Sequence, residues 1–376
     1  MKILAIETSC DETAASVVQD GTKILSNVVA SSSAMHEKYG GIVPEVAARE
    51  QLKCVIPVII EALKPLKTGV NVSMFQCIND SIDAIAVTVG PGLIGSLLTG
   101  VETAKTIAYV TDKPIIPVNH VLAHMYANFL EPLSCHSRED GNLTSKTQIP
   151  DQVWDDKTIK FPAISLVVSG GHTELYLMKS VKELCWLGGT LDDAAGECFD
   201  KAARLLGFGN RGGVAIQETA AKFTIHNSQF TIPLPRPMLN DDSLNFSFSG
   251  LKTAILREID KLKRNQQYNN RTIEQSSYEV QEAITDVLVE KTLRAAQKYK
   301  AKSILLSGGV AANIRLREKF FSTIKQFNNI TIHVPSPELC TDNAAYIGAY
   351  AFFRGKSTDW KKITAVPDLA VEVGEA

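Results

Sequence analysis

His120 and His124 lie four residues apart where a short apolar run at 115–118 gives way to an apolar helix pattern, so both imidazoles can project from one helix face toward the strand ends. Two imidazoles on one face suit a divalent metal. The same spacing serves a pair of packed or capping histidines equally well, and a metal needs a third ligand. Asp342 could supply it. It stands in Pro335-Ser336-Pro337-Glu338-Leu339-Cys340-Thr341-Asp342-Asn343-Ala344, after an apolar run at 330–334 and just before a helix. Thr, Asp and Asn are also favoured helix N-caps, and from sequence alone capping is the commoner role. Two histidines and one carboxylate with open positions would suit Fe(II) or Zn(II) better than Mg(II), which prefers oxygen. We expect one such ion per subunit, Fe(II) ahead of Zn(II). Peptidase chemistry fails on one residue: a zincin needs H-E-x-x-H, and here Val121 follows His120.

Two glycine-rich turns, Ser169-Gly170-Gly171 and Gly308-Gly309, lack the Cβ atoms that keep a phosphate away from backbone N–H groups. A tight turn is the commoner role for any one glycine pair, but their recurrence favours a nucleotide cleft. Asn313, a few residues beyond Gly308-Gly309, would face the same opening. The stretch from Leu191 to Lys201 is expected to start a helix carrying Asp192, Asp193, Glu197 and Asp200. The helix dipole explains the early acids. Asp200 lies deeper and could contact a ribose or carboxyl, although a solvated helix face explains it as well. Gly212-Gly213 closes the following loop. Lys252, Arg257, Lys261, Lys263, Arg264 and Arg271 could form a phosphate-backbone patch on or after a helix opening at Ser249. More often such a run is a solvated helix surface, and no aromatic residues interleave it.

These residues need elements to hold them. An apolar strand at 3–6, a polar turn at 7–13 and a returning strand at 14–18 match a second set at 163–168, 169–174 and 175–178. Each set is followed by a strand and a Gly-rich turn, at 84–89 with Gly90-Pro91-Gly92 and at 304–306 with Ser307-Gly308-Gly309. Two matches in the same order point to an internal duplication. Duplicated α/β lobes leave a cleft at the carboxyl ends of their strands, where open sheets bind ligands. We therefore expect a first lobe at 1–130, a polar insertion or linker at 131–160, a second lobe with a helical insertion at 161–356 and a tail at 357–376. A long amphipathic helix is expected at 278–300. From Lys362 onward no clear pattern shows.

At 376 residues, 45% hydrophobic and 21% charged, the chain can bury two cores. Its net charge of -2 excludes a globally basic surface, so any nucleic acid must be held by a local patch or by companion proteins. Seven scattered cysteines without a C-x-x-C pair read as reduced cytosolic thiols. Met1 to Glu7 is too short and too acidic for a targeting segment, and no apolar run approaches the roughly 18 residues of a membrane span. A cytoplasmic protein is expected.

Several stretches match one family: Ile6-Glu7-Thr8-Ser9-Cys10-Asp11-Glu12-Thr13, Tyr39-Gly40-Gly41-Ile42-Val43-Pro44-Glu45, Gly90-Pro91-Gly92 and His120-x-x-x-His124. Others are Ser169-Gly170-Gly171-His172-Thr173, Asp192 to Lys201, Phe246-Ser247-Phe248-Ser249-Gly250-Leu251-Lys252-Thr253, Gly308-Gly309-Val310-Ala311-Ala312-Asn313 and Cys340-Thr341-Asp342-Asn343. From Lys2 to about Phe353 the chain resembles the tRNA threonylcarbamoyladenosine transferases, the TsaD family, once labelled glycoprotein endopeptidases. The resemblance implies duplicated α/β lobes of the actin-like ATPase and sugar-kinase (ribonuclease H-like) fold. It implies transfer of threonylcarbamoyl from threonylcarbamoyl-AMP to N6 of the adenosine immediately 3′ of the anticodon, in tRNAs reading codons that begin with adenine, with release of AMP. It also implies that His120, His124 and Asp342 hold the metal, and that Val167, Val168, Ser169, Gly170, Gly171, Asp200, Gly213 and Asn313 contact the adenylate. Glu12 could orient or deprotonate the attacking amine.

Bacterial members of the family need a paralogous TsaB-like subunit and a TsaE-like ATPase, whereas mitochondrial ones resemble self-sufficient dimers. The absent targeting segment favours the former. The chain departs from the family pattern in Arg211-Gly212-Gly213-Val214, where Pro-Gly-Gly-Pro is usual, in Gln51, where a His is usual, and in the longer 131–160 insertion. A sugar or acyl kinase of the same fold is the alternative enzyme, but that chemistry wants carboxylate-bound Mg(II) and has no need of a histidine pair. A catalytically silent scaffold paralogue is the other alternative, and it would be expected to lack that pair.

Overall fold

The computed structural model describes residues 1–36, 39, 41–67, 72–131, 158–209, 212–223, 234–325, 327, 329–371 and 373–375. Most of the expected insertion, residues 132–157, therefore lies outside the described residues, as do Gly40 and Arg211. Five strands form the first sheet: β1 (Lys2–Glu7), β2 (Glu12–Gln19), β3 (Lys23–Ser31), β4 (Ala84–Gly90) and β5 (Ile115–Asn119), in the order β3-β2-β1-β4-β5. β1, β4 and β5 run parallel, while β2 and β3 turn back as antiparallel neighbours. β1 and β4 are buried along almost their whole length, and both read as near-continuous apolar runs because each sheet face is covered.

The second sheet repeats the plan. β6 (Ala163–Val168), β7 (Thr173–Met178), β8 (Leu184–Gly189), β9 (Ser303–Ser307) and β10 (Thr331–His333) take the order β10-β9-β6-β7-β8, and a short β11 (Gly374–Glu375) extends the β8 edge. The antiparallel and parallel pairings match those of the first sheet strand for strand. Two copies of one mixed five-strand sheet are the duplicated ribonuclease H-like, actin-like lobes that the sequence suggested.

Between the sheets lies a layer made by crossing elements. Helices His120–His124 and Met125–Phe129 follow β5, and helix Ala345–Phe353, which comes late in the chain, packs back on β1 and β2. Tyr126, Tyr176 and Tyr346 are fully buried here, in a core shared by both sheets. Burying side chains of this size contributes about 1.5–3 kcal/mol each. Helices Pro44–Leu63 and Ile94–Thr111 cover the outer face of the first sheet. Helices Ala195–Leu206, Ser249–Arg264 and Asn270–Lys298 lie in the core outside the second.

The long helix begins at Asn270, earlier than the apolar stripe alone indicated. A capping box explains the difference: the Asn269 side chain accepts from Thr272 N at 3.2 Å, and Thr272 Oγ1 accepts from Asn269 N at 3.0 Å. The tail is also ordered by backbone pairing that composition could not reveal. Val366 N donates to Val89 O at 2.7 Å, Gly92 N donates to Pro367 O at 2.9 Å, and the chain then crosses to pair as β11 with β8.

Candidate functional site

Asn119 ends β5 and caps the next turn, its Oδ1 accepting from Leu122 N at 3.1 Å. The helix it starts is only five residues long and carries His120 and His124 at its two ends. From the equivalent end of the other lobe comes Asp342. Its Oδ1 stands 3.7 Å from His120 Nε2 and 3.6 Å from His124 Nε2, and one ligand atom from each of the three residues lies within 4.8 Å of the others. Capping of the following helix falls to the neighbour instead: Asn343 Oδ1 accepts from Ala345 N at 2.9 Å. Asp342 is thereby left to face the histidines.

The donor set fits a divalent ion. Metal–nitrogen lengths near 2.0 Å imply ligand separations of roughly 3.3 Å in a tetrahedral site, a few tenths below the two distances from Asp342 Oδ1 to the imidazoles. Both ring nitrogens of His124 are buried without a hydrogen-bond partner among the described residues, which is costly unless something binds there. His120 Nδ1 lies 3.2 Å from Glu7 Oε2 and 3.3 Å from Ser9 Oγ, so the buried Glu7 carboxylate can fix the tautomer that leaves Nε2 free as a ligand.

Charges in this pocket are strongly coupled. Burial alone would push the His120 imidazolium down, but Glu7 and Asp342 hold its pKa up at about 9. Burial raises the Asp342 carboxyl, with His120 opposing. Burial, Asp342 and Asp11 raise Glu12 to about 9. Burial and the neighbouring His120 lower His172 to about 4, so its imidazole is neutral near pH 7. Glu7, His172 and Tyr346, whose hydroxyl donates to Asp342 Oδ1 at 3.3 Å, were not singled out from the sequence. Glu7 had one signal, an acid closing a strand whose other core positions are apolar; Tyr346 had none.

Glu12 opens β2 and accepts from Ser31 Oγ at 3.3 Å. The departure at Gln51 is accommodated here, because its Nε2 donates to Cys10 O and Glu12 O, both at 3.0 Å, and pins the acidic turn.

The glycine turns meet beside the histidines. Ser169 to His172 forms a tight loop in which Ser169 N donates to His172 O at 2.8 Å. A Cβ on Gly170, Gly171, Gly213 or Gly309 would meet nothing within 4 Å, so each leaves open space beside its backbone. Gly308 differs: its φ is +87° and a Cβ would come 2.4 Å from Val168 O, which ties the β9 exit to the end of β6. Gly196 approaches equally closely, with a Cβ position 2.4 Å from Ser169 O, and brings the start of helix Ala195–Leu206 against the same loop. Val167 and Val168 bury their side chains completely, so only their backbone is available to a ligand. Asp200 sits on that helix against Gly212, its carboxyl raised by burial. Asn313 is partly committed elsewhere: Oδ1 caps helix Ile314–Ile324 through Leu316 N at 2.9 Å, and Nδ2 donates to Gln281 at 3.1 Å.

The acidic stretch before this helix corrects the sequence-based view. The helix starts at Ala195, and Asp192 caps a different one. Asp192 accepts from Phe248 N at 2.8 Å and from the hydroxyls of Ser247 and Ser249 at 2.5 and 2.7 Å. Asp193 and Glu197 pair with Lys201. The basic residues of helix Ser249–Arg264 are exposed opposite a face of Leu251, Ile255, Ile259 and Leu262, the arrangement of a solvated surface.

The family model of tRNA N6-adenosine threonylcarbamoyltransferase (TsaD) matches residues 23–137 and 149–349. The proteins of that name from Persephonella marina and Thermomicrobium roseum are 45% and 44% identical to this chain. The matches cover 95% and 94% of this chain, and 91% and 92% of those proteins. The Listeria welshimeri protein is 42% identical, covering 98% of this chain and 96% of its own. Among solved structures, HypF from T. kodakarensis aligns with TM-score 0.52 at 14% identity, over 94% of this chain and 48% of that one. Full-length HypF in its phosphate- and nucleotide-bound form aligns with TM-score 0.53 at 12% identity, over 93% and 46%. Those two likenesses speak for the fold alone. With a family match spanning both lobes and relatives alike over nearly their whole length, the chain belongs to the tRNA N6-adenosine threonylcarbamoyltransferase family.

Proposed function

We propose that this chain transfers the threonylcarbamoyl group of threonylcarbamoyl-AMP to N6 of the adenosine 3′ of the anticodon, in tRNAs reading codons that begin with adenine. The observation that carries the proposal is the convergence of His120, His124 and Asp342, two lobes' equivalent strand ends, next to glycine turns with room for a phosphate. The nitrogen attacks the carbamoyl carbon, the bond from that carbon to the phosphate oxygen breaks, AMP leaves and the amine loses a proton. Held by His120, His124 and Asp342, Fe(II), or Zn(II) in its place, supplies Lewis-acid polarisation of the transferred group. The backbone N–H groups of Gly170 and Gly171 donate to the departing phosphate, and Val167, Val168 and Ser169, whose own backbone is committed to the sheet and the turn, hold that loop in place. Asp200, Gly213 and the remaining Nδ2 hydrogen of Asn313 hold the nucleoside. Glu12 orients the amine and takes its proton in its ionised form, which a cation held beside Asp342 favours against the burial that raises its carboxyl. Glu7 holds the His120 ring in place.

The kinase alternative has no use for the histidine pair, and a silent scaffold has no use for a complete ligand set. We further propose a cytoplasmic setting with a TsaB-like paralogue and a TsaE-like ATPase as companions. No described helix is long and apolar enough to cross a membrane. Leu52, Ile56 and Ile60 form an exposed apolar stripe at helical spacing on Pro44–Leu63, beside exposed Ile94 and Leu98 on the neighbouring helix, and such a patch suits a protein partner.

The test is transfer from preformed threonylcarbamoyl-adenylate to transcript tRNA with the companions supplied, comparing wild type with His120→Ala. Modified nucleoside is expected from the wild type and at least about a hundredfold less from the variant. Absence of product from the wild type would sink the assignment.

A further inference from the structure

A cavity of about 490 Å³ is lined by Val121, the residue that follows His120, and its other walls come from three parts of the chain. Pro91 contributes one edge, His172, Glu174 and Trp186 line it from β7, β8 and the loop before them, and residues 368–371 and 373 of the tail close it. The volume falls within the roughly 300–1,000 Å³ of small-ligand pockets. Its chemistry is specific. Trp186 is 39% exposed and offers a flat aromatic face, while Pro91, Val121, Leu369 and Val371 supply apolar walls. Glu174 and Asp368 are the charged groups, and no lysine or arginine lines the cavity. Two carboxylates without a cation repel a phosphate or an amino-acid carboxylate. They suit a neutral, flat group that donates hydrogen bonds, as an exocyclic amine on a nucleobase does.

We propose that this cavity is the acceptor subsite, receiving the target adenine swung out of its RNA stack, with Trp186 stacking on the base and the tail as one wall. The inference rests on the transferase reading above and adds where the acceptor enters. Val121 and His172 line the cavity next to the histidine pair, so a base seated here approaches the transferred group past the His172 end of the Ser169 to His172 loop. Chemistry on a base requires such extrusion or an already unpaired substrate.

The experiment measures transfer by the chain with its companions, varying tRNA and threonylcarbamoyl-adenylate in turn. Trp186→Ala is expected to raise KM for tRNA by about 10-fold or more, the usual scale of one lost base stack, with KM for the adenylate within about twofold. Trp186→Phe should restore most of the loss. Ala370→Phe, which fills the cavity from the tail side at an exposed position, should reproduce it. If both Trp186→Ala and Ala370→Phe leave the tRNA KM within about twofold, the proposal is overturned. It is equally overturned if KM for the adenylate rises instead, since the cavity would then belong to the donor. An inactive wild type would count against the transferase reading itself, a separate outcome visible before any variant is assayed.

Discussion

Asp342 and Asn343 adjoin in the chain and take different roles, and the sequence could not say which would do what. Both are good N-caps. Register decides: Asn343 reaches the first free N–H groups of the helix, and Asp342, one residue earlier, points back at two histidines. Asp342→Asn should therefore lose the metal without lowering the melting temperature of chelator-stripped protein, since it removes a partly buried carboxylate whose charge desolvation opposes. Asn343→Ala should destabilise the stripped protein by about 1 kcal/mol in denaturant titration. The histidine pair was legible from spacing; Glu7 and Tyr346 were not, because a strand end and an apolar helix give no sign of what faces them across the lobes. The charges also set a pH dependence. Glu12 and His120 bind protons more tightly folded than unfolded, so the stability they contribute is present at low pH and lost as pH rises. The window runs from about 4.5 to about 9 for Glu12 and from 6.5 to about 9 for His120. Stripped wild type should lose melting temperature between pH 6.5 and 9, and Glu12→Gln should lose less. An unchanged slope in that variant would show that Glu12 is not the group responsible.

Elements were read well where a period or a cap was present. The recurrence of strand, turn and strand announced both sheets, and Ser249 opened its helix as expected. Boundaries slipped where a side chain from elsewhere decides them. Asp192 looked like an early helix acid because nothing local shows that Ser247, Phe248 and Ser249 fold onto it. The glycine turns give a paired prediction. Gly308→Ala places a Cβ 2.4 Å from Val168 O at a left-handed φ and should cost about 3 kcal/mol or more in chemical denaturation. Gly309→Ala, whose Cβ meets nothing, should change stability by no more than about 1 kcal/mol while weakening adenylate binding, as read by KM.

At the scale of the whole molecule, duplication explains why the site exists at all. Each half sends the chain across the midline after its last strand, and the ligands sit at those two crossings: His120 and His124 in the first half, Asp342 in the second. A single lobe would hold only part of the set. The outer face makes a separate prediction. Ile56→Glu, in the middle of the exposed stripe, should abolish co-elution with the proposed TsaB-like partner and leave the melting temperature of the chain alone within about 2 °C.

The tail, patternless in sequence, is anchored in the first lobe at Val89 and Gly92 and in the second along β8. It is therefore a tether. The seven residue steps from Pro367 to Gly374 reach at most about 25 Å when taut, which caps how far the jaws can part with both ends attached. The weaker anchor is the two-residue β11. A gape wider than that reach would require this strand to peel away, which would also remove a wall of the cavity lined by Trp186. One short piece of chain thus both limits the opening between the lobes and walls the cavity.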